Sequence, residues 1–217
     1  MTLILKKQEI RKCVSVSKES IAAIEKGFSV LSKGGVVMPP IMRLDVEDHN
    51  GEIDVKTAYI KGLDSFAIKI SPGFFDNPKI GLPTTSGMMV LLNSNTGTLE
   101  AVLLDEGFLT DVRTAVAGAI ASKHLAKKTI SNVGIIGAGA QAKLQLEALM
   151  LVKNPKELRI WARNENRANA CISEINKKYN LKTYISKNTQ EVVENSEIVI
   201  TTTPSKEPLV KAEWLHP

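Results

Sequence analysis

Apolar and polar positions along this chain follow two rhythms, and the change between them falls near residue 125. Behind Ser17, a residue suited to cap a helix, Ile21, Ile24, Phe28 and Leu31 recur at spacings of three and four. That is one face of a helix, which Gly34 and Gly35 can end. From Val36 to Leu104 short apolar runs alternate with turn signals, in VVMPP, HNGEIDV, FAIKI, SPGFFDNP and MMVLLNSNTGTLEAVLL. These predict strands and turns, with SNTG at the tip of a hairpin and DNP at residues 76–78 a turn. Thr110 then stands where it can cap a second helix through DVRTAVAGAIASKHLA, rich in alanine and able to pack closely.

From Ile130 the pattern becomes strand NVGIIG, helix AQAKLQLEALMLV, strand ELRIWA, helix RANACISEINKKY, a short KTYIS, helix TQEVVENS and strand EIVITTT. Strand alternating with helix means βαβ units and a parallel sheet. The fold class expected is α/β, with an N-terminal α+β domain over residues 1–125 and a Rossmann dinucleotide-binding domain over residues 126–217.

Where the first of these strands turns into its helix, the chain reads GAGAQA. Gly137 allows the tight turn, Gly139 lets a pyrophosphate approach the backbone, and Ala142 replaces the third glycine of the fingerprint where helix meets strand. The free N–H groups and dipole of the helix N-terminus favour an anion there. About 20 residues after such a loop an acidic residue normally accepts the ribose of NAD, whereas an arginine suits the 2′-phosphate of NADP. Here the second strand ends IWARNENRA, with Ala162 in the acid's place, then Arg163, and Arg167 a little later. NADP is therefore favoured; the alternative is that Arg163 only faces solvent and Glu165 serves NAD.

Composition narrows the partners. With 43% hydrophobic and 24% charged residues the chain of 217 residues can bury a core, and its 28 basic and 23 acidic side chains, net +5, are interleaved. Interleaved charge argues against nucleic acid. The apolar run Leu3–Leu5 is too short for a signal peptide or membrane span, so no membrane partner is expected. Cys13 and Cys171 lie far apart without ligand spacing and read as reduced core thiols of a cytoplasmic protein. His49, His124 and His216 are isolated from one another and from any nucleophile, so neither a metal site nor a Ser/His triad is expected.

The motifs VVMPPIMR, KTAYIKGLDSFAIKI, IGLPTTSGMMVLLNSNTGTLEAVLLDEGFLTDVRTAVAGAIASKHLA, IGAGAQA and EIVITTTP…EWLHP together resemble the ornithine cyclodeaminase/mu-crystallin family over essentially the whole chain. The segment from PPIMR to KIGLP is most similar to its branch of ectoine-utilisation cyclodeaminase-like proteins, which includes imine reductases. The resemblance implies that the first domain binds substrate and dimerises, with the active site between it and the Rossmann domain. It implies that Arg43, Lys69 and Arg113 hold the substrate carboxylate, with Lys69 as the catalytic candidate. It also implies that Thr84, Arg113, Ala140 and Gln141 touch the cofactor and that Thr203 passes beneath the nicotinamide ribose. Ala162 falls where NAD-using relatives carry aspartate. The family's acidic proton-transfer residue follows the strand expected after EWLHP, where this sequence stops. That implies a C-terminally truncated chain with an incomplete Rossmann sheet, whose own activity is open.

The chemistry of these residues agrees. An α-imino acid presents a planar carboxylate that arginine can bind through two parallel hydrogen bonds, and a hydride-transfer site must mainly position its reactants. Lys69, inside the apolar FAIKI, needs an anionic partner if that run is a buried strand. Lys56, in DVKTAY, is expected on a strand beside that of Lys69, where a second cation would suit a dicarboxylic substrate such as iminosuccinate. The reading is an NAD(P)-dependent enzyme reducing an imino acid. The alternatives are an ornithine-type cyclodeaminase that recycles NAD, and a non-catalytic mu-crystallin-like binder or inactive truncated product.

Overall fold

The computed structural model describes residues 2–216; Met1, which opens the N-terminal MTLIL, and Pro217, which closes EWLHP, lie outside the described residues. The chain forms two compact units: the first runs as far as Val112 without residues 16–21, and the second takes Val16–Ile21 and everything from Arg113 on.

The first unit contains β1 (Leu3–Lys6), α1 (Lys7–Cys13), most of α2 (Lys18–Ser32), β2 (Val36–Val37), β3 (Met42–Val46), β4 (Gly51–Ile60), β5 (Ser65–Phe74), β6 (Met88–Asn93), β7 (Leu99–Leu104) and the start of α3 (Phe108–Leu125). Its strands form one sheet in the order β1-β7-β6-β5-β4-β2, with β3 paired to the other end of β4. All pairs are antiparallel except β1 with β7. Because side chains alternate across a sheet, the register sorts this one into two unlike faces. On one, Met42, Val55, Ile70 and Met88 stand in a row across four strands. On the other, Arg43 and Asp54 lie opposite each other, as do Lys56 and Lys69.

Several expectations hold. The Ser17 hydroxyl accepts the backbone N–H of Ser20 at 3.2 Å and caps α2, and Gly34 and Gly35 end it by donating to Leu31 and Val30 carbonyls. SNTG is the β6–β7 hairpin tip, organised by the Asn93 side chain, which accepts the N–H groups of Asn95 and Thr96. The turn expected at residues 76–78 is the start of a 3₁₀ helix, Asn77–Ile80, which Asp76 precedes and whose Lys79 pairs with the Asp76 carboxylate at 2.9 Å.

Others need correction. Thr110 does not cap α3: the helix begins at Phe108, and the buried Asp105 carboxylate accepts the Leu109 N–H at 2.7 Å. A carboxylate placed before the first turn meets both the free donors and the helix dipole, which leaves Thr110 inside that turn. Cys13 is not a core thiol: it lies exposed at the end of α1, whereas Cys171 is buried as expected. SPG is not a turn, because β5 continues through it. The β5–β6 ladder ends at Ile70 opposite Met88, and beyond it Pro72 offers only its carbonyl, to the Ser86 N–H at 3.2 Å, so the missing proline donor costs no pairing.

The second unit holds β8 (Asn132–Ile136), α4 (Ala140–Leu149), β9 (Glu157–Trp161), α5 (Glu165–Asn176), β10 (Lys182–Ile185), α6 (Thr189–Glu194) and β11 (Ile198–Thr201). The four strands are parallel in the order β10-β9-β8-β11. Alternation feeds two cores. Val133, Ile135, Leu158 and Ile160 pack with Ala142, Leu146, Leu149, Ala168, Cys171 and Ile175 of α4 and α5; Ile136 packs with Val192 and Val193 of α6 and with Trp161 and Trp214. Helices on both faces of a parallel sheet make this a Rossmann-type unit. Burial pushes the Cys171 thiol above its ordinary value.

Candidate functional site

In the second unit, β8 lies between β9 and β11 and the strand order reverses there. In open α/β sheets ligands bind beyond the carboxyl ends of the strands at that reversal. Three strand ends, those of β8, β9 and β11, meet at this place. The Gly137 N–H donates to the Trp161 carbonyl at 2.8 Å, and the Thr202 N–H donates to the Ile136 carbonyl at 2.8 Å. Gly137 has φ of +122°, and a Cβ there would overlap the hydroxyl and carbonyl oxygens of Thr202, so backbone and neighbour both demand glycine.

Two further observations fit a dinucleotide. Helices α5 and α6 are capped by Asn164 and Asn188, each accepting an N–H three residues on, whereas the N-cap of α4 is Gly139, with no side-chain cap. The first N–H groups of α4 are thus left for an external acceptor. A Cβ on Gly139 would meet no atom within 4 Å, so the space above the loop is open. Ala142, fully buried in the core, takes the close-packing position foreseen for it.

Of the other predicted residues of this unit, Ala140, Gln141, Arg163 and Thr203 follow the carboxyl ends of β8, β9 and β11. Ala140 and Gln141 open α4. Arg163 follows the end of β9, exposed, and its side chain makes no hydrogen bond or ion pair among the described residues. Glu165 is the first residue of α5, where its charge complements the helix dipole. Thr203 follows β11, and its hydroxyl accepts the Ser205 N–H at 3.3 Å. Arg113 on α3 is exposed, also without a side-chain partner among the described residues.

In the first unit, Arg43, Lys56 and Lys69 share one sheet face. Lys56 and Lys69 are directly opposite each other on β4 and β5, the adjacency expected from their strands. Like charges so placed repel unless anions intervene. Lys56 Nζ pairs with Asp54 at 2.7 Å, and Lys69 Nζ donates to the Thr110 hydroxyl at 3.5 Å. Arg43 pairs with Asp45 at 2.9 Å and with Glu52 at 2.6 Å; its hydrogen bond to Asp45, together with the charges of Asp45 and Glu52, holds the guanidinium above its ordinary value. Thr84 lies in the loop before β6, its carbonyl accepting the Phe74 N–H at 2.7 Å.

Sequence reading missed Thr202, whose packing against Gly137 shapes the loop, and Gln145, a buried amide in α4. The signal for Gln145 was a glutamine four residues after Gln141 on an otherwise apolar helix face. No helix among the described residues is long and apolar enough to cross a membrane.

Comparison with known proteins agrees with this geometry. A Rhizobium meliloti protein bearing the provisional name of dehydrogenase is 52% identical over 214 residues, 99% of this chain and 65% of its own length. The Thermococcus litoralis delta(1)-pyrroline-2-carboxylate reductase, solved with NADH and L-proline, superposes with a TM-score of 0.93 at 33% identity, over 99% of this chain and 66% of that one. An archaeal alanine dehydrogenase dimer with bound NAD gives 0.90 at 33% identity, over 99% and 64%. The chain therefore spans about 65% of the length of these relatives. The sequence profile of the Ornithine cyclodeaminase/mu-crystallin family matches residues 1–217, and the chain belongs to that family.

Proposed function

We propose that this chain binds a nicotinamide dinucleotide through its second unit, NADP in preference to NAD, and reduces the C=N bond of an imino acid to an amino acid. The observation that carries the reading is the meeting, at one sheet end, of the uncapped α4, the left-handed Gly137 and Thr202. Gly137, Gly139, Ala140 and Gln141 would receive the diphosphate, Thr203 the nicotinamide ribose and Arg163 the 2′-phosphate, with Thr84 and Arg113 also touching the cofactor. When bound, the dinucleotide supplies the hydride delivered to the α-carbon. The unpartnered guanidinium of Arg163 supports the NADP preference, since Glu165 already serves the start of α5.

Arg43, Lys69 and Arg113 would hold the substrate carboxylate, orienting the α-carbon. The facing of Lys56 and Lys69 supports a dicarboxylic imino acid, because a second carboxylate between two opposed cations relieves their repulsion. A second copy of the chain would cover the apolar face of the first unit's sheet, as supported by the similarity to a dimeric relative. Asp54 and Glu52, on the same face as these cations, favour one further reading: a cyclodeaminase whose diamino acid substrate places its side-chain ammonium against them.

The test supplies NADPH or NADH with imino acids formed from mono- and dicarboxylic oxo acids and ammonia. Net oxidation, faster with NADPH and with the dicarboxylic substrate, is the expected result. Release of ammonia from a diamino acid with no net change in cofactor would favour the cyclodeaminase instead, and neither reaction would sink both. Replacing Arg163 with Glu should weaken NADPH binding about tenfold while leaving NADH unharmed, one charge-assisted contact being worth about 1.5 kcal/mol or more.

A further inference from the structure

Gln145 is a buried polar side chain in the middle of α4, 8% exposed, between the fully buried Ala142 and Leu149. A core amide is costly unless its donors are used. Here both are directed at acceptors: Nε2 donates to the Thr114 carbonyl of α3 at 3.1 Å and to the Gln141 side-chain oxygen at 3.3 Å. Gln141 is the second residue of α4, immediately behind the glycine loop, and Thr114 follows Arg113. The amide also has a shaped seat. A Cβ built on Gly118 of α3 would overlap Gln145 Oε1, and its three nearest neighbours all belong to the Gln145 amide. Gly118 stands in an alanine-rich segment whose Ala115, Val116 and Ala119 are sealed. A glycine in a helix interior is a less stable choice than the alanines around it, and the space it leaves is filled by this one side chain.

We propose that Gln145 is a positioning residue for the cofactor. Its amide fixes the Gln141 side chain, and with it the first turn of α4, against the α3 backbone beside Arg113. Gly118 is the complement that lets the amide reach. The inference rests on the reading above that the loop binds a nicotinamide dinucleotide, and it adds a residue that touches no cofactor itself.

The experiment measures dissociation constants for NADPH and NADH, by quenching of tryptophan fluorescence, together with the melting temperature of each variant of the full chain. Gln145→Met keeps the length and volume of the side chain but removes both donors. It is expected to weaken both cofactors about fivefold, the effect of one ordinary hydrogen bond. Gly118→Ala, which displaces the amide without deleting it, should weaken them similarly, and the double variant should bind no worse than Gln145→Met alone. A folded Gln145→Met that binds like the parent would reduce Gln145 to core filling and overturn the proposal. Gln141→Ala, at the half-buried helix start, tests the same link if the core variant fails to fold; parental affinity there would leave Gln145 nothing to position. Should the parent chain itself bind neither dinucleotide, the functional reading falls and takes this proposal with it, whereas tight parental binding with insensitive variants removes this proposal alone.

Discussion

The two sheets of this molecule are built from similar residues and end in opposite conditions. In the second unit, Val133, Ile135, Ile136, Leu158 and Ile160 are each 0% exposed. In the first, the long central strands β4 and β5 bury nothing fully except Gly51 and Gly73. Met42 and Leu44 of β3 stay 62% and 56% exposed. A parallel sheet must be covered on both faces, and α4, α5 and α6 do that within the unit. Over β3, β4 and β5 the antiparallel sheet instead sorts charge to one face and aliphatic side chains to the other. One unit covers both faces of its central strands with its own helices, while the other leaves the long strands of its sheet half-exposed.

Core truncation should show this contrast most strongly. Leu146→Ala is expected to cost about 3 kcal/mol in urea unfolding, as large deletions in sealed cores do. Ile68→Ala, on the half-buried β5, should cost about 1 kcal/mol. Equal costs would mean that the first unit is sealed after all. Gly137→Ala comes next, since a methyl there is strained by the backbone and meets Thr202. It should destabilise the second unit by about 1–3 kcal/mol and abolish saturable dinucleotide binding in a fluorescence titration. Leu44→Glu sharpens the other side of the comparison. Sedimentation should show loss of the proposed second copy, with the isolated chain's unfolding free energy changed by no more than about 0.5 kcal/mol.

The smallest effect concerns acid. The Glu197 carboxylate accepts the N–H groups of Ser131 and Asn132 at 2.5 and 3.0 Å and so ties the start of β8 to that of β11. Those two bonds hold its pKa below the ordinary value of 4.5. A carboxylate lowered in this way stabilises the fold above that ordinary value and loses the contribution as pH falls through the folded one. Thermal melts of the parent should therefore lie above those of Glu197→Gln at pH 6.5, with the gap closing only as pH falls below 4.5.

Much of this was legible in the sequence because the signals are local. Strand and helix alternate plainly after residue 130, the glycine loop sits where strand meets helix, and Asn93 and Gly97 mark a hairpin. What escaped depends on contacts distant along the chain. Residues 3–6 become a strand only by pairing in parallel with residues 101–104. Thr110 fits a capping pattern as well as Asp105 does, and only the burial of that carboxylate decides between them. The strand through Pro72 depends on where the β5–β6 ladder stops. At the site, Lys56 and Lys69 could be assigned to neighbouring strands, yet their facing depends on the register set by the turn at residues 61–64. Gln145 could be seen as a polar break in an apolar face, but not the glycine opposite that gives it room.

One contact ties the glycine loop to a residue far along the chain. The Ile136 carbonyl accepts both the N–H and the hydroxyl of Thr202, 66 positions later, and Thr202 is the neighbour packed against Gly137. The loop is encoded early in the second unit but takes its shape only when the last of the four strands docks. If the proposed dinucleotide binds at that loop, it would stabilise chains in which β11 has docked beside β8 over chains in which it has not.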